Sequence, residues 1–257
     1  MPAGRRASAA AYAGPMPSVL NVSAYLFTRI DDPQSLRTVL RDRAMSAGLK
    51  GTILLAEEGI NLFLAGATEP LRGFVDELRR DARFAALRTK ESWSDAQPFG
   101  RMLVKVKREI IRMDHPTIRP DDGRAPAIAP ATLQRWLAAG RDDAGREVVL
   151  LDTRNAFEVD YGSFSGALDW RIERFTQFPD ALAAHRADLE GKSVVSYCTG
   201  GIRCEKAALL MQERGVEHVL QLDGGILKYF DAMPGAPHWR GKCFVFDERI
   251  TLAATPE

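Results

Sequence analysis

Cysteine and histidine are the scarce residues of this chain. Among its 257 residues only three are cysteine, Cys198, Cys204 and Cys243, an odd number too widely spread to staple a small secreted fold. That scarcity points to a reducing compartment, and a cytoplasmic protein is expected. The four histidines, His115, His185, His218 and His238, stand singly and no Cys-x-x-Cys pair accompanies them, so no metal site is expected. Long apolar runs are also missing: stretches such as Val148 to Leu151 fall far short of the roughly 20 residues a spanning helix needs, which excludes a transmembrane segment. No glycine fingerprint for a flavin or nicotinamide and no two-histidine, one-carboxylate set is evident, so no resident cofactor is expected. Charge of one sign is lacking overall, with a net of +1, yet its distribution is uneven. Residues 1–126 hold 20 Lys/Arg against 15 Asp/Glu, whereas residues 127–257 hold 15 against 19. The basic half is the better candidate for an RNA partner.

What is present is enough for two compact units, since the chain exceeds the usual size of a single domain. Residues 1–17 begin with Arg5 and Arg6 and an Ala-rich run, but no sustained Leu or Val block follows. They read as a disordered leader rather than an export signal. The next stretch, 18–115, alternates strands and helices. Val19 to Phe27 is a strand, a helix opens at Pro33 behind Asp32 and ends at Gly48, and Gly51 to Ala56 and Ile60 to Ala65 flank the turn Glu57-Glu58-Gly59. A second helix spans Thr68 to Arg80, and Leu87 to Trp93 and Met102 to Val106 are extended. The order βαββαβ, with two helices on one buried sheet face, predicts a ferredoxin-like (acylphosphatase-like) domain of the α+β class. The Pro/Asp/Gly-rich stretch 116–126 is the expected linker, running on toward Pro130.

Residues 127–238 predict a parallel α/β domain. Its helices are expected over Thr132–Ala139, Phe175–Leu189 and Cys204–Arg214, and its strands over Val148–Leu151, Ser193–Tyr197 and Val219–Leu222. Residues 239–257 form a C-terminal extension. At the carboxyl end of the Ser193–Tyr197 strand, where open α/β sheets place their ligands, stands Cys198-Thr199-Gly200-Gly201-Ile202-Arg203. The two glycines let successive amides turn inward, the next helix presents its positive end, and Arg203 adds fixed charge. A thiol in that cradle becomes a thiolate nucleophile near neutral pH. A merely buried cysteine needs none of these parts. Cys204 is either a helix-start cysteine or a resolving thiol for Cys198, Cys243 is expected in the core, and Gly224-Gly225 is expected to serve close packing.

This segment resembles a rhodanese domain, in which the loop cysteine accepts a sulfur atom as a persulfide. Asp152-Thr153-Arg154 with Glu158 resembles the family's early Asp-x-Arg and Glu motif; on their own chemistry these residues read as a buried network bracing the loop, with direct catalysis as the alternative. Gly162 to Ala167 resembles its Gly-His-x-x-Gly-Ala stretch, with Ser163 in place of the histidine. The whole chain from about Leu20 to Ile250 resembles the bacterial tRNA uridine(34) hydroxylases. That likeness is carried by Glu57-Glu58-Gly59-Ile60-Asn61, by Arg101 to Ile111, by Cys198 to Ala207 and by Phe244 to Arg249. It implies oxygen-dependent conversion of the tRNA wobble uridine to 5-hydroxyuridine, with Cys198 essential, molecular oxygen as co-substrate and the anticodon region of tRNA as partner. A sulfurtransferase working through a Cys198 persulfide with a sulfur donor or acceptor protein, and a non-catalytic redox or interaction module, are the alternatives. From Arg79 to Arg112 ten Lys/Arg face four Asp/Glu, interleaved with Phe84, Trp93 and Phe99. Arg101, Lys105, Lys107 and Arg112 are therefore the candidate RNA contacts.

Overall fold

In β1 (Val19–Phe27), Leu20, Val22 and Ala24 are buried on one face, while Asn21, Ser23 and Tyr25 alternate onto the other. This alternation governs the first domain of the computed structural model, which describes residues 19–254. The leader expected over residues 1–17 lies outside the described residues. Helix α1 (Pro33–Ser46) opens where Asp32 accepts a hydrogen bond from the Ser35 amide at 3.0 Å. Then come the hairpin β2 (Lys50–Ala56) and β3 (Gly59–Gly66), α2 (Thr68–Arg80), β4 (Arg88–Ser94) and β5 (Met102–Val106). The strand order is β4-β1-β3-β2-β5. The first four strands make the ferredoxin-like antiparallel sheet, and β5 adds a fifth, parallel to β2, that the βαββαβ reading did not include. Leu62, Leu71, Phe74 and Val104 fill the core against α1 and α2. Phe84 belongs to this core with 0% exposure, because the 3-10 turn after α2 folds it inward. It is withdrawn from the stacking role its basic neighbourhood suggested.

The second domain comprises β6 (Ala127–Ile128), α3 (Pro130–Ala139), β7 (Val148–Asp152), α4 (Ala156–Val159), β8 (Gly162–Phe164) and β9 (Leu168–Asp169). It continues with α5 (Phe178–His185), β10 (Ser193–Tyr197), α6 (Ile202–Glu213), β11 (His218–Leu222) and α7 (Gly225–Ala232). Strands β6-β11-β10-β7-β9 form one parallel sheet. The single helix expected over Phe175–Leu189 is instead α5 between two 3-10 turns. Pro179 offers no N–H to the preceding turn, so the α-helix starts afresh there. Helix α6 starts two residues ahead of the expected Cys204, at Ile202.

The stretch read as a linker is packed: Ile118 and Ala125 are buried in the second domain's core. The described part of the C-terminal extension forms β12 (Trp239–Gly241), β13 (Cys243–Phe244) and β14 (Thr251–Leu252). It returns to the first domain through Glu248 N to Pro98 O at 3.1 Å and Arg249 Nη1 to Ser92 Oγ at 2.9 Å.

The two domains meet on a buried ion cluster. Lys206 of α6, with its side chain 2% exposed, donates to Glu58 Oε2 at 2.7 Å and to Glu109 Oε2 at 2.6 Å. Beside it Tyr25 donates to Glu205 Oε1 at 3.0 Å. The seam thus gathers the four separate motifs quoted above into one region.

Lys206→Met should destabilise the protein by about 3 to 5 kcal/mol, because it strands two carboxylates in the seam. Urea denaturation measures this, and a loss below about 1 kcal/mol contradicts the role given to the cluster.

Candidate active site

Strand β10 ends at the fully buried Tyr197, and the chain turns at once into α6. Gly201, with φ of +98°, makes that turn and donates its amide to Cys198 Sγ at 3.1 Å. The remaining backbone of the loop is capped from α7: the carbonyls of Cys198 and Thr199 accept from the amides of Ile226 at 3.0 Å and Leu227 at 3.1 Å. Gly225 permits this approach. With φ of +66°, any Cβ there would lie 2.4 Å from the Cys198 carbonyl oxygen. The glycine pair expected to serve close packing therefore packs against the reactive loop itself.

Arg203, expected to lend its charge to the loop, is paired. Its Nη1 and Nη2 donate to both carboxylate oxygens of the buried Glu158, the second at 2.8 Å. Burial opposes the charge of Glu158, yet Arg203 holds its carboxyl below the usual range. Thr199 Oγ1 reaches the same carboxylate at 3.5 Å. Asp152 and Arg154 form a second ion pair, Nη2 to Oδ2 at 2.6 Å, with both side chains 0% exposed. Arg154 also donates to the Glu158 and Gly162 carbonyls, at 3.3 and 2.7 Å. This is the bracing network anticipated from sequence. Ser163 sits in β8, paired with Arg240 of β12.

Cys198 is buried, and burial alone would push its thiol up. The Cys204 thiol, the Arg203 guanidinium and the amides of Arg203 and Gly201 outweigh it and bring the group down to about 5. Cys204 moves the opposite way: burial, with the anionic neighbour, keeps it a thiol well above its ordinary range. It occupies the first turn of α6 beside Thr153 Oγ1, 3.6 Å away. Cys243 lies in the core, pushed up to about 12 by burial.

Although Cys198 exposes 0% of its surface, it borders a cavity of about 700 Å³. The loop Cys198 to Gly200, with Ile202 and Arg203, forms one wall of this cavity. The sheet face of the first domain opposite α1 and α2 forms another through Ser23, Tyr25, Thr52, Asn61, Phe63 and Lys90. Phe246 of the C-terminal extension also lines it. Apart from Asn61 and Phe246, which belong to motifs quoted from sequence, these residues were missed because that sheet face reads as solvent-facing; Tyr25, Leu54 and Phe63 on it were the available signal that something covers it.

Of the candidate RNA contacts, Arg112 lines the cavity and pairs with Asp114 at 2.7 Å. Lys105 and Lys107 are exposed, and Lys105 is paired in register with Leu54, which lines the cavity. Arg101 is exposed at the start of β5, and Phe99 is part of the cavity wall. Among the described residues no cluster of His, Cys, Asp or Glu is arranged to hold a metal ion, and no helix is long and apolar enough to cross a membrane.

The depressed Cys198 group contributes a thiolate above about 5 and loses it as pH falls through that value. Alkylation of Cys198, followed by peptide mapping, should therefore change little between about pH 8 and about pH 6, where an ordinary thiol of pKa about 8.5 slows by roughly a hundredfold. An ordinary pH profile contradicts the anion cradle.

Residues 19–110 match the family described as UPF0176 acylphosphatase like domain, and residues 131–232 match the Rhodanese-like domain family. A tRNA uridine(34) hydroxylase of Variovorax paradoxus is 66% identical over 93% of this chain and 90% of its own length. The proteins of that name from Delftia acidovorans and Bordetella pertussis are 64% and 63% identical, again over 93% of this chain, and over 90% and 98% of their own lengths. By identity sustained through both domains and the seam between them, the chain belongs to the tRNA uridine(34) hydroxylase family.

Proposed function

We propose that this protein hydroxylates C5 of the wobble uridine of tRNA, giving 5-hydroxyuridine, with molecular oxygen as co-substrate and Cys198 as the essential residue. The observation that carries this reading is the cavity of about 700 Å³ between the Cys198 loop and the polar, aromatic sheet face of the first domain. A base splayed from an unpaired anticodon loop needs such a slot, with aromatic walls to stack on and polar groups for its edges. Tyr25, Phe63 and Phe99 supply the first, and Thr52, Asn61 and Asn155 the second. Replacing C5–H with C5–OH uses one O2, two electrons and two protons and releases water. The electrons come from an external two-electron reductant. Lys105, Lys107 and Arg101 hold anticodon phosphates as exposed cations on and around the edge strand β5. The protein works in the cytoplasm, where tRNA is found.

One observation favours a second reading, transfer of a sulfur atom through a Cys198 persulfide to or from a partner protein. Cys198 has no exposed surface of its own, and a single added atom is the ligand its tight amide cradle suits best.

Nucleoside mass spectrometry of tRNA from cells lacking the gene should show 5-hydroxyuridine restored by the wild-type gene and not by Cys198→Ser. Restoration by the serine variant contradicts the essential role. Unchanged tRNA, with thiocyanate formed from thiosulfate and cyanide, establishes the second reading instead. Replacing Lys105 and Lys107 together by Glu should weaken binding of an anticodon stem-loop and flatten its log–log salt dependence by about 1 to 2 units; an unaltered binding curve removes β5 from the RNA surface.

A further inference from the structure

A thiolate at Cys198 needs positive charge nearby, and the rhodanese domain's own arginine shares its charge between Cys198 and Glu158. The first domain brings another cation. Lys90 of β4 crosses the seam and donates from Nζ to the Gly200 carbonyl at 2.7 Å, inside the reactive loop. It is half-buried, its ammonium stands 5.3 Å from the centre of the Tyr25 ring, and it lines the same cavity as Cys198. Among the described residues no carboxylate lies within ion-pair distance of it.

The charged and titratable groups that surround Lys90 are Cys198, Tyr25, Glu205, Asp223, Lys228 and Asp231. Most are occupied elsewhere. Glu205 is held by Arg124, Tyr25 and Gln221, and Asp223 by Lys228. Asp231 is exposed on α7. Cys198 remains, its one cationic partner Arg203 being shared with Glu158. Burial lowers the proton affinity of Lys90, and the anionic Cys198 is the largest influence restoring it.

We propose that Lys90 is a positioning residue for Cys198: its ammonium, delivered by the first domain, pins the Gly200 carbonyl and adds to the positive charge that Arg203, shared with Glu158, gives the reactive sulfur. The reactive loop is therefore electrostatically complete only when the two domains are docked. Arg124 and Lys228, which flank Lys90, do not substitute for it, because each is already paired with a carboxylate. The proposal concerns the state of the sulfur and not the fate of tRNA, so it stands or falls separately from the proposed hydroxylation.

The test is a pH titration of the full-length protein by ultraviolet thiolate absorbance, with Cys198→Ser in each background as the blank. Three substitutions separate the contributions. Lys90→Met removes both charge and hydrogen bond, Lys90→Gln keeps a donor for Gly200 without charge, and Lys90→Arg keeps charge. The Met and Gln variants should both raise the Cys198 midpoint by about 1 unit or more, the shift an adjacent opposite charge produces, while the Arg variant stays within about half a unit of wild type. Circular dichroism and melting temperature confirm that each variant is folded. A folded Lys90→Met protein with the wild-type midpoint overturns the proposal. So does a Gln variant that titrates like wild type, since the hydrogen bond alone would then account for the effect.

Discussion

A lysine ammonium is costly to bury without carboxylates to meet it, and Lys206 is met by two. Its side chain is 2% exposed between Glu58 and Glu109, one from the β2–β3 hairpin turn and one from the segment after β5. Because the three groups are costly to bury separately, they specify a single way for α6 to lie against the first domain. That docking brings the far sheet face over the reactive loop, since α6 begins four residues after Cys198. The cavity is a consequence of where one buried charge had to go.

The site is composite in its electrostatics as well as in its walls. The rhodanese domain supplies the sulfur, the Gly201 amide and the helix end, and its arginine divides its charge between Cys198 and Glu158. The bidentate pairing of Arg203 with Glu158 also fixes the loop's shape. Behind them Asp152 and Arg154 tie the end of β7 to Glu158 and Gly162 by hydrogen bonds that leave no polar group of the pair in water. The rigidity behind Cys198 and the polarity in front of it therefore come from different parts of the chain. The C-terminal segment adds a third part through Phe246 at the cavity and Arg249 on Ser92.

Much of this was legible in the sequence where the cause is local. The loop Cys198–Arg203, the glycine turn and the start of α6 are set by neighbouring residues, and the register of β1 follows from alternation. Glu58 and Asn61 stood out as parts of a motif, though nothing in it says what they touch. The remainder is long-range. Glu158 and Arg203 are 45 positions apart, and Lys90 and Gly200 are 110 apart, so only the packed fold reveals that the arginine is shared with a glutamate and that a distant lysine is present. Phe84 was misplaced for the same reason: basic neighbours suggested a surface, but the turn after α2 closes over the core. The fifth strand of the first sheet was visible as an extended segment, whereas its parallel pairing with β2 was not.

Docking of the two domains creates a slot for a pyrimidine at Cys198. A structure of the Cys198→Ser variant bound to an anticodon stem-loop tests it most directly. The target base is expected to be turned out of the loop and seated between the substituted reactive loop and the Tyr25–Phe63 face of the sheet. A base that stays stacked in its anticodon, or binds elsewhere while the slot stays closed, contradicts it.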